Sequence, residues 1–323
     1  MLRLRAFLIG FGFLVLAPSA NAQTDYPVRT IRLVVGSPGG GGLDIVARVV
    51  AQKMAEALGQ AVVVENKPGA SGMVAAAAVA HGQKDGYTFL VASPSEVALV
   101  QSLVAKPTYS VEQDLEAVSL FGTTPLAIVA TPSLPANTLA ELTALSKSKP
   151  GTLNFASPAA RSPFELTFEY IKLLTGADIN SVPYRGMAAA MNDVIAGQVH
   201  ITVGGVAGVR EQVKSGALKV IVVTSDKRTP LEPDWPSMAD AGFPGIDTST
   251  FALLLAPSGV PEPVLARIES TMAAVMQMPD MKKRLAELGV VTQPSDRASA
   301  KNFLAAETAK YSKIARDANI KPE

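Results

Sequence analysis

The segment 30–58 contains a strand pattern, a glycine-rich loop and a helix pattern in immediate succession, which favours folds in which helices connect strands. Residues 30–35 are mostly apolar and β-branched, 36–42 are rich in glycine, and 43–58 have helical periodicity that ends at Gly59. Further strand patterns alternate with helical ones, at 61–65, 87–92, 125–130, 153–156, 179–182, 199–203, 218–223 and 250–256. This alternation predicts an α/β fold with mainly parallel sheets.

The length of the chain favours two domains. Removal of a 22-residue leader, argued below, leaves 323 − 22 = 301 residues, and a domain typically has about 150. After the strand at 250–256 the chain has helical patterns at 263–276, 281–288 and 298–318.

The amino terminus has the pattern of a secretory signal peptide. Arg3 and Arg5 precede an apolar run at 6–16, and Ala20-Asn21-Ala22 has the small-x-small pattern of a cleavage site. The run is about half the roughly 20 residues that a membrane span needs, so a permanent membrane anchor is the weaker interpretation. The sequence therefore predicts a signal peptide at 1–22, cleavage after Ala22 and a periplasmic mature chain.

The charge balance argues against a nucleic-acid partner. Lys and Arg total 29 against 28 Asp and Glu, and loss of Arg3 and Arg5 leaves 27 − 28 = −1. A nucleic-acid-binding protein normally presents a basic face to phosphates. The absence of cysteine from the sequence also excludes disulfides, thiolate metal ligands and a cysteine nucleophile.

The four glycines at 39–42 exceed what a turn between a strand and a helix requires. Glycine lacks a Cβ, so peptide N–H groups can converge on an anion at the amino end of the next helix, where the helix dipole also favours negative charge. The alternative is a flexible loop in which Asp44 only starts the helix. Three to five N–H bonds of about 1.5–3 kcal/mol each suffice for a micromolar complex, which needs about 8 kcal/mol.

Nucleotide and enzyme patterns fail on inspection. Glu65 lies where a ribose-binding acid would, but G-x-G-x-x-G spacing from Gly39 requires glycine at position 44, which is Asp44. Neither a Gly-Lys-Ser/Thr ending nor a Gly-x-Ser-x-Gly elbow occurs. His81 and His200 are the only histidines and have no metal-ligand spacing; His81 fits a helix end. We therefore expect no catalytic residue, no metal and no cofactor.

The mature chain closely resembles the tripartite tricarboxylate transporter substrate-binding family, also called Bug proteins. The motifs that carry the resemblance occur in the family's order and spacing: YP at 26–27, IRLVV at 31–35, PGGGGLD at 38–44, VENKPGA at 64–70, DGYT at 85–88, KPGTLNFAS at 149–157, VPYRG at 182–186, GQV at 197–199, VTS at 223–225 and ADAG at 239–242. The match extends from Tyr26 to about Lys321.

The resemblance implies a two-lobed periplasmic receptor with a Venus-flytrap fold. Lobe 1 would comprise 23–124 and 235–323, and lobe 2 would comprise 125–234. The ligand would be a small carboxylate held reversibly between the lobes. The receptor would deliver it to a membrane transporter with one large and one small integral subunit.

The resemblance also implies a set of ligand contacts from loops of both lobes. In lobe 1 these are Ser37, Pro38, Gly39, Gly40, Gly41, Gly42, Leu43, Asp44, Ser71, Ser93, Ser95 and Glu96. In lobe 2 they are Ser157, Arg161, Ser162, Tyr184, Arg185, Gly186, Gly204 and Gly205.

Several of these positions depart from the family pattern. Leu43 replaces a hydroxyl residue, Gly204 replaces an Asp, and the loop at 158–163 has lost hydroxyl groups. Arg161 offers a planar fork suited to a carboxylate. Glu96 would repel an anion unless it pairs with Arg161 or receives an ammonium group; alternatively both side chains point to solvent.

These changes predict a monoanion or a dicarboxylate with an apolar or aromatic body as the ligand, because Leu43, Pro94, Pro158 and Val206 replace polar options around the cleft. Two other functions stay open at this point. A receptor of the same kind could signal to a membrane kinase, and an exported enzyme could act on a small acid.

Overall fold

The computed structural model describes residues 26–293 and 295–322; the predicted signal peptide lies outside them. The strands are β1 (Ile31–Val35), β2 (Val62–Asn66), β3 (Thr88–Ala92), β4 (Leu115–Thr124), β5 (Leu126–Ala130), β6 (Asn154–Ser157), β7 (Asn180–Pro183), β8 (Ile201–Gly205), β9 (Lys219–Val223), β10 (Thr250–Pro257) and β11 (Val291–Thr292). The helices are α1 (Gly42–Leu58), α2 (Met73–Ala80), α3 (Pro94–Val97), α4 (Val100–Leu103), α5 (Val111–Asp114), α6 (Leu139–Ser148), α7 (Pro163–Thr175), α8 (Met187–Ile195), α9 (Val206–Lys214), α10 (Glu262–Gln277), α11 (Pro279–Glu287) and α12 (Arg297–Asp317), with a 3-10 turn at Ala70–Gly72.

The strands form two sheets, each of which is mixed. The first has the order β11-β4-β10-β3-β1-β2 and the second β7-β6-β8-β5-β9. β1 is parallel to β2 and β3, whereas β10 is antiparallel to β3 and β4. β6 is parallel to β7 and β8, whereas β5 is antiparallel to β8 and β9. The predicted α/β class is confirmed, but the sheets are not mainly parallel.

The antiparallel pairs involve the strands by which the chain moves between the sheets. β4 is followed after Pro125 by β5, and β10 follows the return segment 224–249. An outgoing strand and a returning strand pair in opposite directions without a crossover helix. Strand direction is absent from sequence periodicity, which explains why the prediction missed it.

The strands of the first sheet carry apolar residues on both faces. Leu33 and Val35 of β1 pack in a core cluster with residues of α1 and α10. Val34 packs on the other face, in a cluster with residues of α2 and α12. Successive side chains of a strand point to opposite faces, so the apolar run at 33–35 requires a helical layer on each side.

The second sheet has the same construction. Ile128 of β5 packs with Phe155 and Phe168, whose stacked rings have centroids 3.8 Å apart. Val129, the next residue, lies in the opposite cluster with Val194 of α8. Each lobe therefore has helices on both faces of its sheet, and the lobe boundaries at 124/125 and 234/235 stay predictions.

Candidate functional site

Loops from both sheets meet at the end of the molecule where the chain crosses between them. Leu253 of β10 pairs with Ala92, the last residue of β3, so the start of β10 lies beyond the carboxyl ends of β3 and its parallel neighbour β1. In the second sheet Leu126 pairs with Gly205, the last residue of β8. The loops after β1, β3, β6 and β8, which contain most of the predicted contacts, therefore border the crossing.

The glycine loop after β1 is partly closed on itself. The N–H of Gly40 donates to Asp44 Oδ2 at 2.8 Å, and the N–H of Gly41 donates to the carbonyl of Pro38 at 3.2 Å. Gly40 has φ +82°, a left-handed conformation that glycine adopts without strain. The prediction that the amides of 39–42 are open to a ligand is therefore wrong for Gly40 and Gly41.

The open donors lie one residue further along, in the first turn of α1. The first bond of the helix runs from the N–H of Ile45 to the carbonyl of Gly41 at 3.0 Å. Among the described residues, the N–H groups of Gly42, Leu43 and Asp44 have no acceptor. Gly42 is exposed and Leu43 half-buried, so this turn presents N–H groups and the positive end of the helix dipole to solvent.

The Ser37 hydroxyl adds a further free group beside these donors. Ser37 Oγ is buried and, within the described chain, has no hydrogen-bond partner. It lies 3.5 Å from the position that a Cβ on Gly41 would take. A buried hydroxyl without a partner points to an additional group, such as a ligand oxygen or a water molecule, at this place.

The Asp44 carboxylate shapes the loop and is not free to contact a ligand. Asp44 is 1% exposed and receives bonds from Arg48 Nε at 2.9 Å and Asn66 Nδ2 at 2.8 Å, besides the Gly40 amide. The hydrogen bond from Arg48, helped by those from Gly40 and Asn66, lowers the pKa of Asp44 to about 2 against the opposing effect of burial.

Sequence reasoning missed Arg48 and Asn66. Their signals were the i,i+4 spacing from Asp44 on α1 and the position of Asn66 at the end of the strand beside β1.

The turn after β2 packs backbone to backbone against the glycine loop. A Cβ on Gly36 would lie 2.4 Å from Gly72 Cα, and a Cβ on Gly72 would lie 2.9 Å from Glu96 Oε2. Ser71 is exposed in this turn with φ +52°. The contacts bring the loops after β1, β2 and β3 together.

Glu96 neither points to solvent nor pairs with Arg161. Glu96 is 2% exposed, and its carboxylate receives the N–H of Ser93 at 2.8 Å and the Ser93 hydroxyl at 2.7 Å. Ser93 and Glu96 form a capping box at the start of α3, and burial raises the pKa of Glu96 to about 7. Glu96 and Ser93 thus serve the helix start, while Ser95 is half-buried.

The second-lobe loops also use many of their polar side chains internally. Ser157 Oγ donates to Glu165 Oε1 at 3.2 Å, and Ser162 caps α7 by accepting from the N–H of Glu165 at 3.4 Å. The Tyr184 hydroxyl donates to Asp193 at 2.7 Å. The predicted ligand contacts by the side chains of Ser157, Ser162 and Tyr184 therefore need correction, because these groups are already bonded.

The two arginines among the predicted contacts differ from each other in their surroundings. Arg161 Nη2 donates to the carbonyls of Leu103 at 2.9 Å and Lys321 at 2.7 Å, so the predicted contact of its guanidinium with a ligand carboxylate needs correction. Arg185, by contrast, is exposed and makes no ion pair or side-chain hydrogen bond with any described residue. It immediately precedes Gly186, the N-cap of α8.

The backbone also joins the loops after β6 and β7. The N–H of Tyr184 donates to the Ser157 carbonyl at 2.8 Å, and the N–H of Gly186 donates to the Pro158 carbonyl at 2.9 Å. The two loops therefore form one surface beside the α8 amino terminus.

The apolar lining predicted for the cleft is smaller than expected. A Cβ on Gly204 would lie 2.8 Å from Val209 Cγ1, so packing against α9 leaves no space for a side chain at that position. Val206 is 0% exposed, and Pro94 and Pro158 are buried as well. Leu43 alone among these apolar residues is half-exposed.

The histidines have structural partners. His81 Nε2 lies 2.9 Å from the carbonyl of Thr108, and the N–H of Asn154 donates to His200 Nδ1 at 3.1 Å. Within the part of the chain that the structure describes, no group of His, Asp and Glu side chains has the geometry to hold a metal ion. No helix in that part is long and apolar enough to span a membrane.

Comparison with known protein sequences identifies the family of this chain. A model described as "tripartite tricarboxylate transporter family receptor" matches residues 46–320. The chain is 33% identical to protein BugT of Bordetella pertussis over 307 residues, which cover 95% of this chain and 94% of BugT.

Solved structures agree over nearly the whole chain. Rpa4515 of R. palustris with adipate has a TM-score of 0.83 at 31% identity, covering 93% of this chain and 100% of that one. MatC from Rhodopseudomonas palustris with bound malate has a TM-score of 0.77 at 29% identity, covering 90% and 99%. The two-lobed periplasmic-binding-protein fold is thereby confirmed.

The extent of these matches settles the class of protein as well as the fold, and it confirms the prediction of a receptor that binds a solute without transforming it. The chain belongs to the TctC, or Bug, family of tripartite tricarboxylate transporter receptors.

Proposed function

We propose that this receptor captures a small carboxylate in the periplasm, between the loops of its two lobes, and delivers it to a tripartite membrane transporter. The observation that carries the proposal is the first turn of α1. There the N–H groups of Gly42 and Leu43 have no acceptor within the described chain, and the Ser37 hydroxyl close to them has no partner either. These groups are donors, and the positive end of the helix dipole adds to their preference for an anion.

The opposite lobe supports binding of a second negative group. α8 begins after Gly186, and its first internal bond runs from the N–H of Ala190 to the Gly186 carbonyl at 3.3 Å. The exposed guanidinium of Arg185 adjoins this helix start. A ligand with a carboxylate at each end would satisfy α1 with one and the Arg185 region with the other, and thereby bridge the lobes.

The proposed ligand is therefore a dicarboxylate with an apolar middle. Two similar structures, Rpa4515 with adipate and MatC with bound malate, have ligands that are dicarboxylates. Leu43 offers apolar contact at the rim of the donor site, which favours the longer aliphatic chain of adipate over the hydroxylated malate. Each N–H bond to a carboxylate contributes about 1.5–3 kcal/mol, so three to five bonds account for micromolar affinity.

The proposed contact set is narrower than the sequence suggested. It keeps Ser37, Gly39, Gly42, Leu43, Ser71, Ser95, Arg185 and Gly205. It leaves out Pro38, whose carbonyl accepts the N–H of Gly41, and Gly186, whose N–H donates to the Pro158 carbonyl. Delivery to one large and one small integral subunit, and export by the predicted signal peptide, belong to the same proposal.

Thermal-shift and calorimetric titration of the mature chain tests the ligand class. We expect adipate to raise Tm and to bind with a micromolar Kd, malate and benzoate to bind more weakly, and the diol with the same carbon chain as adipate to have no effect. Arg185→Gln should weaken adipate more than benzoate, because only adipate has a second carboxylate. Stabilisation by the diol, or by sugars and polyamines alone, would contradict carboxylate recognition.

A further inference from the structure

The second-lobe loop at 157–162 is bonded to the first lobe through one side chain. Arg161 Nη2 donates to the carbonyl of Leu103 at 2.9 Å and to that of Lys321 at 2.7 Å. Leu103 is the last residue of α4, and Lys321 follows the end of α12. The Leu103 carbonyl, at a helix carboxyl end, lacks an intrahelical donor and carries partial negative charge, so a guanidinium is a favourable partner for it.

The backbone of the loop holds Arg161 in place for this contact. Arg161 has φ +55°, a left-handed conformation that is uncommon outside glycine. Its N–H donates to Glu165 Oε2 at 2.6 Å, while Glu165 Oε1 accepts the Ser157 hydroxyl at 3.2 Å. Glu165 thus fixes both ends of the loop and maintains the unusual backbone of Arg161.

Apolar packing extends the same contact. Leu166, three residues into α7, is 0% exposed and lies in the core cluster that contains Leu304 and Ile314 of α12. Tyr170, one turn later, packs against that cluster as well. The second lobe therefore rests on the carboxyl-terminal helix of the first through α7, and Arg161 lies at the amino end of this contact.

We propose that Arg161 is a positioning residue that holds the second-lobe ligand loop against the first lobe, so that the lobes keep the arrangement of this structure before any ligand binds. The guanidinium joins carbonyls from two first-lobe segments to a loop of the second lobe. Rotation of the lobes away from each other must break both bonds and expose Leu166. The end of α4 and the segment after α12 thereby help to determine how far the cleft between the lobes opens.

A distance measurement between the lobes tests this proposal without ligand. The chain has no cysteine, so a pair of spin labels can be placed at Val63→Cys in β2 and Ile195→Cys in α8, which are 44% and 38% exposed. Pulsed electron–electron double resonance then gives the distribution of the distance between the two labels, one on each lobe. We expect Arg161→Ala to broaden the distribution of distances and to move its centre by several ångströms. The ratio of molecules with separated lobes to molecules with the lobe arrangement of this structure should change by at least about tenfold.

Arg228→Ala is the matched control, because Arg228 pairs with Asp240, whose neighbours Met238 and Ala241 pack in the core cluster of the second sheet; its distribution should equal that of the parent. Removal of residues 321–323 takes away one acceptor and should produce an intermediate shift. Circular dichroism shows whether Arg161→Ala folds. If it does not, the distance distributions of Arg161→Lys and of the truncated chain test the proposal instead. Distributions that equal the parent in every folded variant would overturn the proposal. Because no ligand is added, failure of carboxylate binding leaves this result unaffected.

Discussion

The side-chain amide of Asn66 donates to Asp44 Oδ1 at 2.8 Å and thereby ties the end of β2 to the first turn of α1. The same amide donates to the Ser37 carbonyl at 3.0 Å, and its oxygen accepts from Arg48 Nη2 at 2.9 Å. Three side chains outside the run of glycines therefore set the path of the loop, and the glycines allow that path without supplying the forces that hold it.

Asn66→Ala should destabilise the protein. It removes two donors from buried or half-buried acceptors and one acceptor from Arg48, and leaving such groups unpaired costs about 1–3 kcal/mol. Urea unfolding at neutral pH measures the change in the free energy of unfolding. Asn180→Ala is the control, because Asn180 is exposed in β7 and donates to the Gly151 carbonyl at 2.9 Å; equal losses for both variants would contradict a special role for Asn66.

The buried carboxyl of Glu96 should make stability depend on pH near neutrality. Burial raises its pKa from 4.5 to about 7 in the folded protein. An acid whose pKa is raised on folding stabilises the folded state below its unfolded pKa, and this contribution is lost as pH rises through the folded pKa. The difference corresponds to about 3 kcal/mol, which should disappear between pH 4.5 and pH 8.

Glu96→Gln should abolish that dependence while leaving a side chain of the same size. Chemical unfolding at several pH values measures it: the variant should gain stability relative to the parent as pH rises, and most of the gain should be complete by about pH 8. Glu112→Gln, at an exposed position, should follow the parent at each pH. Parallel profiles for Glu96→Gln and the parent would show that the Glu96 carboxyl keeps an ordinary pKa.

Much of this site could be predicted from the sequence, but the partners that its residues find far along the chain could not. The apolar run of β1 and the helical periodicity of α1 place the loop between them, because a strand and a helix that follow each other leave their joining loop at the strand's carboxyl end. The spacing from Ser93 to Glu96 is the S-x-x-E pattern of a capping box, so the structural role of Glu96 was also within reach.

Arg161 illustrates what periodicity and motifs leave out. Among the described residues it donates to carbonyls that are 58 and 160 residues away along the chain, and backbone carbonyls leave no trace in residue identity. Its fork is equally suited to a ligand carboxylate, and only the packing of α7 on α12 decides between the two partners. The antiparallel direction of β4 and β10 was invisible for the same reason, since it depends on how the two sheets are connected.

Gly36→Ala should be strongly destabilising, because the new Cβ would lie 2.4 Å from Gly72 Cα. The obstacle is backbone on a turn that itself packs on Glu96, so relief requires movement of two loops, and overpacking of this kind costs about 1–3 kcal/mol or more. Gly208→Ala is the matched control: nothing lies within 4 Å of its Cβ position in α9, and alanine favours a helix by about 1 kcal/mol. Thermal unfolding should show Tm lowered by the first change and unchanged or raised by the second.

The proposed anion site at α1 can be tested by a substitution that removes one N–H donor. Gly42 is the first residue of the helix, a position where proline is well tolerated because its N–H needs no intrahelical acceptor. Gly41 before it has φ −71° and ψ 160°, the extended conformation that a residue preceding proline prefers. A Cβ on Gly42 would meet nothing within 4 Å, so there is space for a side chain to begin at this position.

Gly42→Pro should therefore leave Tm close to that of the parent and weaken dicarboxylate binding by about 10- to 100-fold, the equivalent of one hydrogen bond to a charged oxygen. Calorimetric titration with adipate measures the change in Kd. Gly42→Ala keeps the N–H and adds a methyl group, so its affinity should stay near that of the parent. If the proline and alanine variants bind adipate equally well, the ligand does not use the N–H of Gly42, and recognition must rest on other donors, either in the same turn or in the opposite lobe.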